Sequence, residues 1–76
     1  MSRKRSPTTI AFGAAVRALR VERGFAQEAF AAHAGMDRSY YGAIERGEFN
    51  VSLETIVKLA VALELSAAEV LRRGGL

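Results

Sequence analysis

Glycine punctuates this chain so closely that only short helices fit between the breaks. Gly24, Gly35, Gly47 and the pair Gly74-Gly75 each follow a segment whose apolar residues recur at helical spacing. A glycine just past the last periodic residue is a common helix stop, because it accepts the left-handed backbone that closes the final turn. In the first segment Phe12, Val16 and Leu19 fall at i, i+4 and i+7, with Thr8 or Thr9 as the cap. A second helix is predicted from about Gln27 to Ala34, with Phe30, Ala31 and Ala34 facing inward. After the turn Gly35-Met36-Asp37, Asp37 caps a third helix that runs from Arg38 to Arg46. Ser52 caps a fourth, with Leu53, Ile56, Val57, Leu59, Ala60 and Leu63 as its apolar face. Ser66-Ala67-Ala68-Glu69 reads as a capping box opening a fifth, whose apolar edge is Val70 and Leu71. No strand pattern, repeat or internal linker interrupts the series. The fold class expected is all-α: a compact five-helix domain over residues 8–76, preceded by a flexible basic arm over residues 1–7 that ends at the only proline.

Size limits what else such a chain does. At 76 residues it is one domain, of a size that buries only about 60% of its unfolded surface. There is no cysteine and a single histidine, His33, so neither a disulfide nor a thiolate metal site staples it, and a zinc site is not expected. Association with a second copy is an available source of further stability. No apolar run reaches membrane-spanning length and no signal-peptide core is visible, so a cytoplasmic, nucleoid-associated protein is expected. His33 falls on the outer side of the second helix with no nucleophile or acid pattern around it, and there is no phosphate loop. The expectation is therefore a protein that is not an enzyme and needs no cofactor.

The charge is unevenly placed. The net formal charge is +3, and Arg3, Lys4 and Arg5 alone carry three positive charges. Up to Arg46 there are eight basic and four acidic residues; beyond it there are three and four. This asymmetry suits one face turned toward an anionic polymer, although a basic arm is also what a solvated tail looks like.

Two short helices joined by a tight glycine turn have the geometry of a DNA-binding helix-turn-helix, whose second helix enters the major groove. A corner in any small helical bundle has the same coarse spacing. The helical wheel of the third helix sharpens the reading. With Ile44 toward the core and Tyr40 and Tyr41 flanking it, Arg38, Ser39, Gly42 and Arg46 gather on the opposite face, with Ala43 and Glu45 at the edges. A glycine inside a helix costs roughly 1 kcal/mol against alanine, so Gly42 is either a tolerated weak point or a place where the helix approaches base edges. Arg38 is the strongest candidate for reading a base, since its guanidinium donates two bonds to guanine's major-groove acceptors.

These residues carry a family resemblance. Gln27-Glu28-Ala29-Phe30-Ala31, Ala34-Gly35-Met36-Asp37-Arg38-Ser39-Tyr40, Ile44-Glu45-Arg46-Gly47 and Ser52-Leu53-Glu54-Thr55-Ile56 together resemble the lambda-repressor/Cro-type, or Xre, helix-turn-helix domains. Asp37-Arg38-Ser39-Tyr40 with Asn50 downstream is similar to the controller proteins of restriction–modification systems. The resemblance implies a homodimer on double-stranded, palindromic DNA, with Arg38, Ser39, Tyr40 and Ala43 toward the bases; Gly42 joins them from the exposed face of the wheel. It implies backbone contacts from Gln27, Asn50 and Ser52, and it pairs Glu45 with Arg20. Arg46 and the arm residues Arg3, Lys4 and Arg5 are added as backbone contacts on grounds of charge. Three residues depart from the family pattern: Ala26 where a helix-capping hydroxyl is usual, Tyr41 where a smaller aliphatic is usual, and Val51 in place of a frequent proline.

The function expected is a sequence-specific transcription regulator with no small-molecule effector. Leu65, Val70, Leu71 and Leu76 are candidates for the dimer contact, or else they close the monomer core. The alternative is an antitoxin-like module that binds a protein partner through this C-terminal edge and also regulates its own operon.

Overall fold

The computed structural model describes residues 5–76; Arg3 and Lys4 of the basic arm lie outside the described residues. Five helices follow one another: α1 (Pro7–Glu22), α2 (Gln27–His33), α3 (Arg38–Glu45), α4 (Leu53–Ala62) and α5 (Ala67–Arg73). Asp37, Ser52 and Ser66 cap α3, α4 and α5 as expected, each accepting from the backbone N–H three residues on. Ala26 gives α2 no side-chain cap.

The start of α1 differs from the expectation. Ser6, not Thr8 or Thr9, is the cap, and Pro7 is the first helical residue. Proline suits that position because its fixed φ is helical and its missing N–H has no partner to lose. Thr9 is the return half of a capping box: its N–H donates to Ser6 Oγ at 3.1 Å, and the Ser6 N–H donates to Thr9 Oγ1 at 2.9 Å. The hydroxyl of Thr9 also donates to Gly47 O at 2.7 Å, which ties the start of α1 to the end of α3.

Glycine is required where α1 meets α3. A Cβ on Gly13 would stand 2.3 Å from the carbonyl oxygen of Ile44 and 2.6 Å from that of Glu45, so the two backbones touch. Gly47, at φ +76°, closes α3 against the backbone of Ile10 in the same way. Beneath this contact Phe12, Val16, Phe30, Tyr41, Ile44, Leu59, Leu63 and Val70 form the core. The Phe30 ring stands 5.3 Å from that of Tyr41 and 5.4 Å from that of Phe25. His33 is exposed as expected, yet its ring stacks on Phe25 and its Nε2 sits 3.2 Å from Ala62 O.

Two apolar assignments change. Leu53 and Val57 do not face the core: they are 72% and 45% exposed, in line with Val61 at 70%. Residues four apart share a helical face, and α4 turns Leu59, Ala60 and Leu63 inward instead. Val70 is fully buried, so it closes the monomer and offers nothing to a second copy.

A buried polar knot joins the first three helices. Arg20 of α1 donates to Glu45 of α3 through Nε at 2.6 Å and Nη2 at 3.2 Å, and through Nη1 to Phe25 O at 2.7 Å. Gln27 Nε2 donates to Glu45 Oε1 at 3.0 Å, and the Tyr41 hydroxyl donates to Glu45 Oε2. Burial pushes the Glu45 carboxyl up, but the hydrogen bonds from Arg20, Tyr41 and Gln27 outweigh it and hold the group below the ordinary carboxylate range. Burial, with the bond to Glu45, pushes the Tyr41 phenol well up.

Two outcomes are expected. Gly13→Ala forces a methyl into backbone, with an overpacking cost of roughly 1–3 kcal/mol; thermal melting should show a drop of about 10 °C. The folded Glu45 carboxyl gives up its proton more readily than the unfolded one. Its stabilisation is therefore complete above the unfolded value, about 4.3, and is lost as pH falls through the lower folded value. Denaturant melts from about pH 3 to 7 should show a flatter acid limb for Glu45→Gln than for the wild type. Parallel limbs would mean that Glu45 contributes nothing to the acid response.

Candidate nucleic-acid interface

The turn between α2 and α3 follows from a glycine. Gly35 adopts φ +70°, and the Met36 N–H then folds back to Ala31 O at 2.8 Å. Asp37 Oδ2 accepts from the Tyr40 N–H at 3.0 Å, which fixes the first turn of α3. With Tyr41 and Ile44 buried, the helical repeat leaves Arg38, Ser39 and Arg46 exposed.

The structure brings five of the expected residues together. Gln27, Arg38, Ser39, Gly42 and Arg46 line one polar cleft on the outward side of α3. Gly42 is its floor and is itself covered, because the side chains of Gln27 and Arg46 lean over it. Ala43 is 3% exposed and lies behind the surface, on the core side. Arg46 is held by Glu48, with Nε 2.7 Å from Oε2, and this bond raises the affinity of the guanidinium for its proton.

The other expected residues stand outside the cleft. Tyr40 is half-buried, and its ring meets Phe49 edge-on at 5.3 Å. Asn50 is exposed and borders a separate groove with Thr8, Thr9, Val51 and Leu76. Ser52 is exposed, with its hydroxyl engaged in capping α4 through the Thr55 N–H at 3.1 Å. Arg5 turns back onto α3: Nε and Nη2 donate to Arg46 O at 3.0 and 2.8 Å. A cation there satisfies an orphan carbonyl and complements the helix dipole. Leu65 and Leu71 are half-buried against the core, and Leu76 is 50% exposed.

Sequence reasoning missed Phe49 and the bond between Gln27 and Glu45. An aromatic in a loop directly before Asn50 was a usable signal for Phe49. The bond from Gln27 crosses between helices, and nothing local announces it.

Among the described residues, no helix is long and apolar enough to cross a membrane. A family profile described as helix-turn-helix matches residues 16–70. A hypothetical transcription factor of Neisseria meningitidis serogroup B is 41% identical over 56 residues; these are 74% of this chain and 53% of that protein, so the chain spans about half of that relative. Control protein C.MunI of a Mycoplasma species is 41% identical over 61 residues, 79% of this chain and 82% of that protein. The crystal structure of the restriction–modification controller protein C.AhdI from Aeromonas hydrophila matches with a TM-score of 0.78 and 47% identity, over 82% of this chain and 94% of that one. The profile reaches from the middle of α1 to α5, and the likeness to C.MunI and C.AhdI runs over most of both proteins, so this chain belongs to the Xre-type helix-turn-helix family of DNA-binding transcription regulators.

Proposed function

We propose that the chain is a controller-type regulator that reads a palindromic operator as a homodimer. The observation that carries this reading is the polar cleft on α3, where Arg38, Ser39 and Arg46 stand exposed around a glycine floor. Members of the family are regulators rather than enzymes, and C.MunI is named a control protein. In this reading Arg38 meets guanine through its fork, and Ser39 and Tyr40 stand beside it among the base contacts. Asn50 and Ser52 lie against the sugar-phosphate backbone. Ala43, being buried, drops out of the base contacts. Arg3 and Lys4 add attraction by releasing counterions from phosphates. The protein works in the cytoplasm, on the nucleoid.

Size supports dimerisation in this reading. One copy measures 27 × 25 × 20 Å, less than the roughly 34 Å between half-sites one helical turn apart. Two copies are therefore needed to read both. Leu76, with the half-buried Leu65 and Leu71, supplies the apolar edge between them.

Arg38→Ala is expected to relax discrimination at one base position per half-site, by about 1–3 kcal/mol. Binding titrations on single-base operator variants measure this; an equal loss on every duplex would reduce Arg38 to a phosphate contact. The same titrations across salt concentrations read the arm. Removing residues 1–4 should make the slope shallower by roughly two, one for each lost cation. Sedimentation velocity should show a dimer that Leu76→Glu dissociates. Dissociation by Val61→Glu instead would move the contact to the exposed stripe of α4.

A further inference from the structure

Gln27 was expected to touch a phosphate, and its geometry argues for a different task. Its Nε2 donates to Glu45 Oε1 at 3.0 Å. An ionised carboxylate only accepts, so the nitrogen end of the amide is the end that faces it. The carbonyl end is thereby turned out over Gly42. Gln27 Oε1 lies 3.5 Å from the point where a Cβ on Gly42 would stand, and Arg46 Nη1 lies 3.2 Å from the same point. The missing side chain leaves Arg46 its room, and the Gln27 carbonyl lies over the same floor. Arg46 is steadied on its other side by the 2.7 Å bond from Nε to Glu48. A carbonyl oxygen repels a phosphate oxygen and attracts a donor, and the cleft's own arginines are donors.

The orientation of Gln27 is set from below. Arg20 and the Tyr41 hydroxyl occupy Glu45 Oε2, and Arg20 Nη2 shares Oε1 with Gln27. The carboxylate is thus pinned by donors from two helices, and it holds the amide of a third. Tyr41 is one of the departures from the family pattern, and its phenol is the donor that a smaller aliphatic residue would lack.

We propose that Tyr41 and Glu45 are positioning residues for DNA reading: they turn the Gln27 carbonyl toward Arg46, so that Gln27 sharpens base discrimination by that guanidinium instead of clamping a phosphate. The base edge addressed is one rich in acceptors, as guanine's is. The inference rests on the DNA-reading function proposed above.

The test is selection from a randomised duplex library of about 30 base pairs. Wild type, Gln27→Ala, Tyr41→Phe and the double variant are compared after thermal melts establish that each is folded. Wild type should select a two-fold symmetric motif. Each single variant should flatten the preference about tenfold at one and the same position of each half-site, and the double variant should flatten it no further. A merely structural role lowers melting temperature and overall affinity but leaves the positional profile intact, and that result overturns the proposal. So does a loss spread evenly over all positions in Gln27→Ala, which is the mark of a phosphate clamp. Additive losses at different positions overturn it as well. Should Tyr41→Phe not fold, Gly42→Ala takes its place: the added methyl displaces Arg46 and must flatten the same position as Gln27→Ala. A wild-type pool with no motif would instead sink the DNA-reading function itself, and this inference with it.

Discussion

Four hydrogen bonds converge on the carboxylate of Glu45, and the placement of the recognition helix depends on them. They come from α1, from α2 and from within α3. Apolar packing around Phe30, Tyr41 and Ile44 supplies most of the driving force, but that force has no direction. The polar knot supplies the direction, fixing the rotation of α3 about its axis and hence which residues look outward. Burying an ion pair is expensive, and it is tolerated only when every lone pair and proton is met. Here the remaining guanidinium nitrogen finds Phe25 O, and among the described residues no buried side-chain polar atom lacks a partner. Deleting one member of such a pair costs about 3–5 kcal/mol, a large part of the roughly 5–15 kcal/mol that holds a domain together.

Most of the fold was legible because helix starts and stops are chemical events. Asp37, Ser52 and Ser66 announce α3, α4 and α5, and Gly24, Gly35 and Gly47 end α1, α2 and α3. The start of α1 was misplaced because Pro7 was taken as the end of the arm rather than the first residue of the helix. On α4 nearly every position is apolar, so composition does not say which side faces in. Leu53 and Val57 were assigned to the core on hydropathy alone, whereas packing against α5 decides the matter. Gly13 drew no notice because the reason for it, the backbone of Ile44 and Glu45, lies about thirty residues further along the chain.

The recognition surface was legible to about the same depth. A helical wheel needs only the core direction, and Ile44 gives it, so Arg38, Ser39 and Arg46 fall outward by geometry. What the wheel omits is cover from another helix. Gly42 was read as exposed, yet Gln27 reaches over it from α2. Ala43 was placed at the edge, and it is buried. The cover over Gly42 comes from α2, and sequence periodicity does not describe contacts between helices.

The hold of Arg5 on the last carbonyl of the recognition helix changes what the basic arm is. A tail joined to a surface loop would spread its charge through a wide sphere of solvent. The Arg5 side chain is instead moored at Arg46 by two hydrogen bonds. On the function proposed above, the Arg5 guanidinium thereby stands at the flank of the helix that faces the duplex, and attraction and inspection share one end of the molecule.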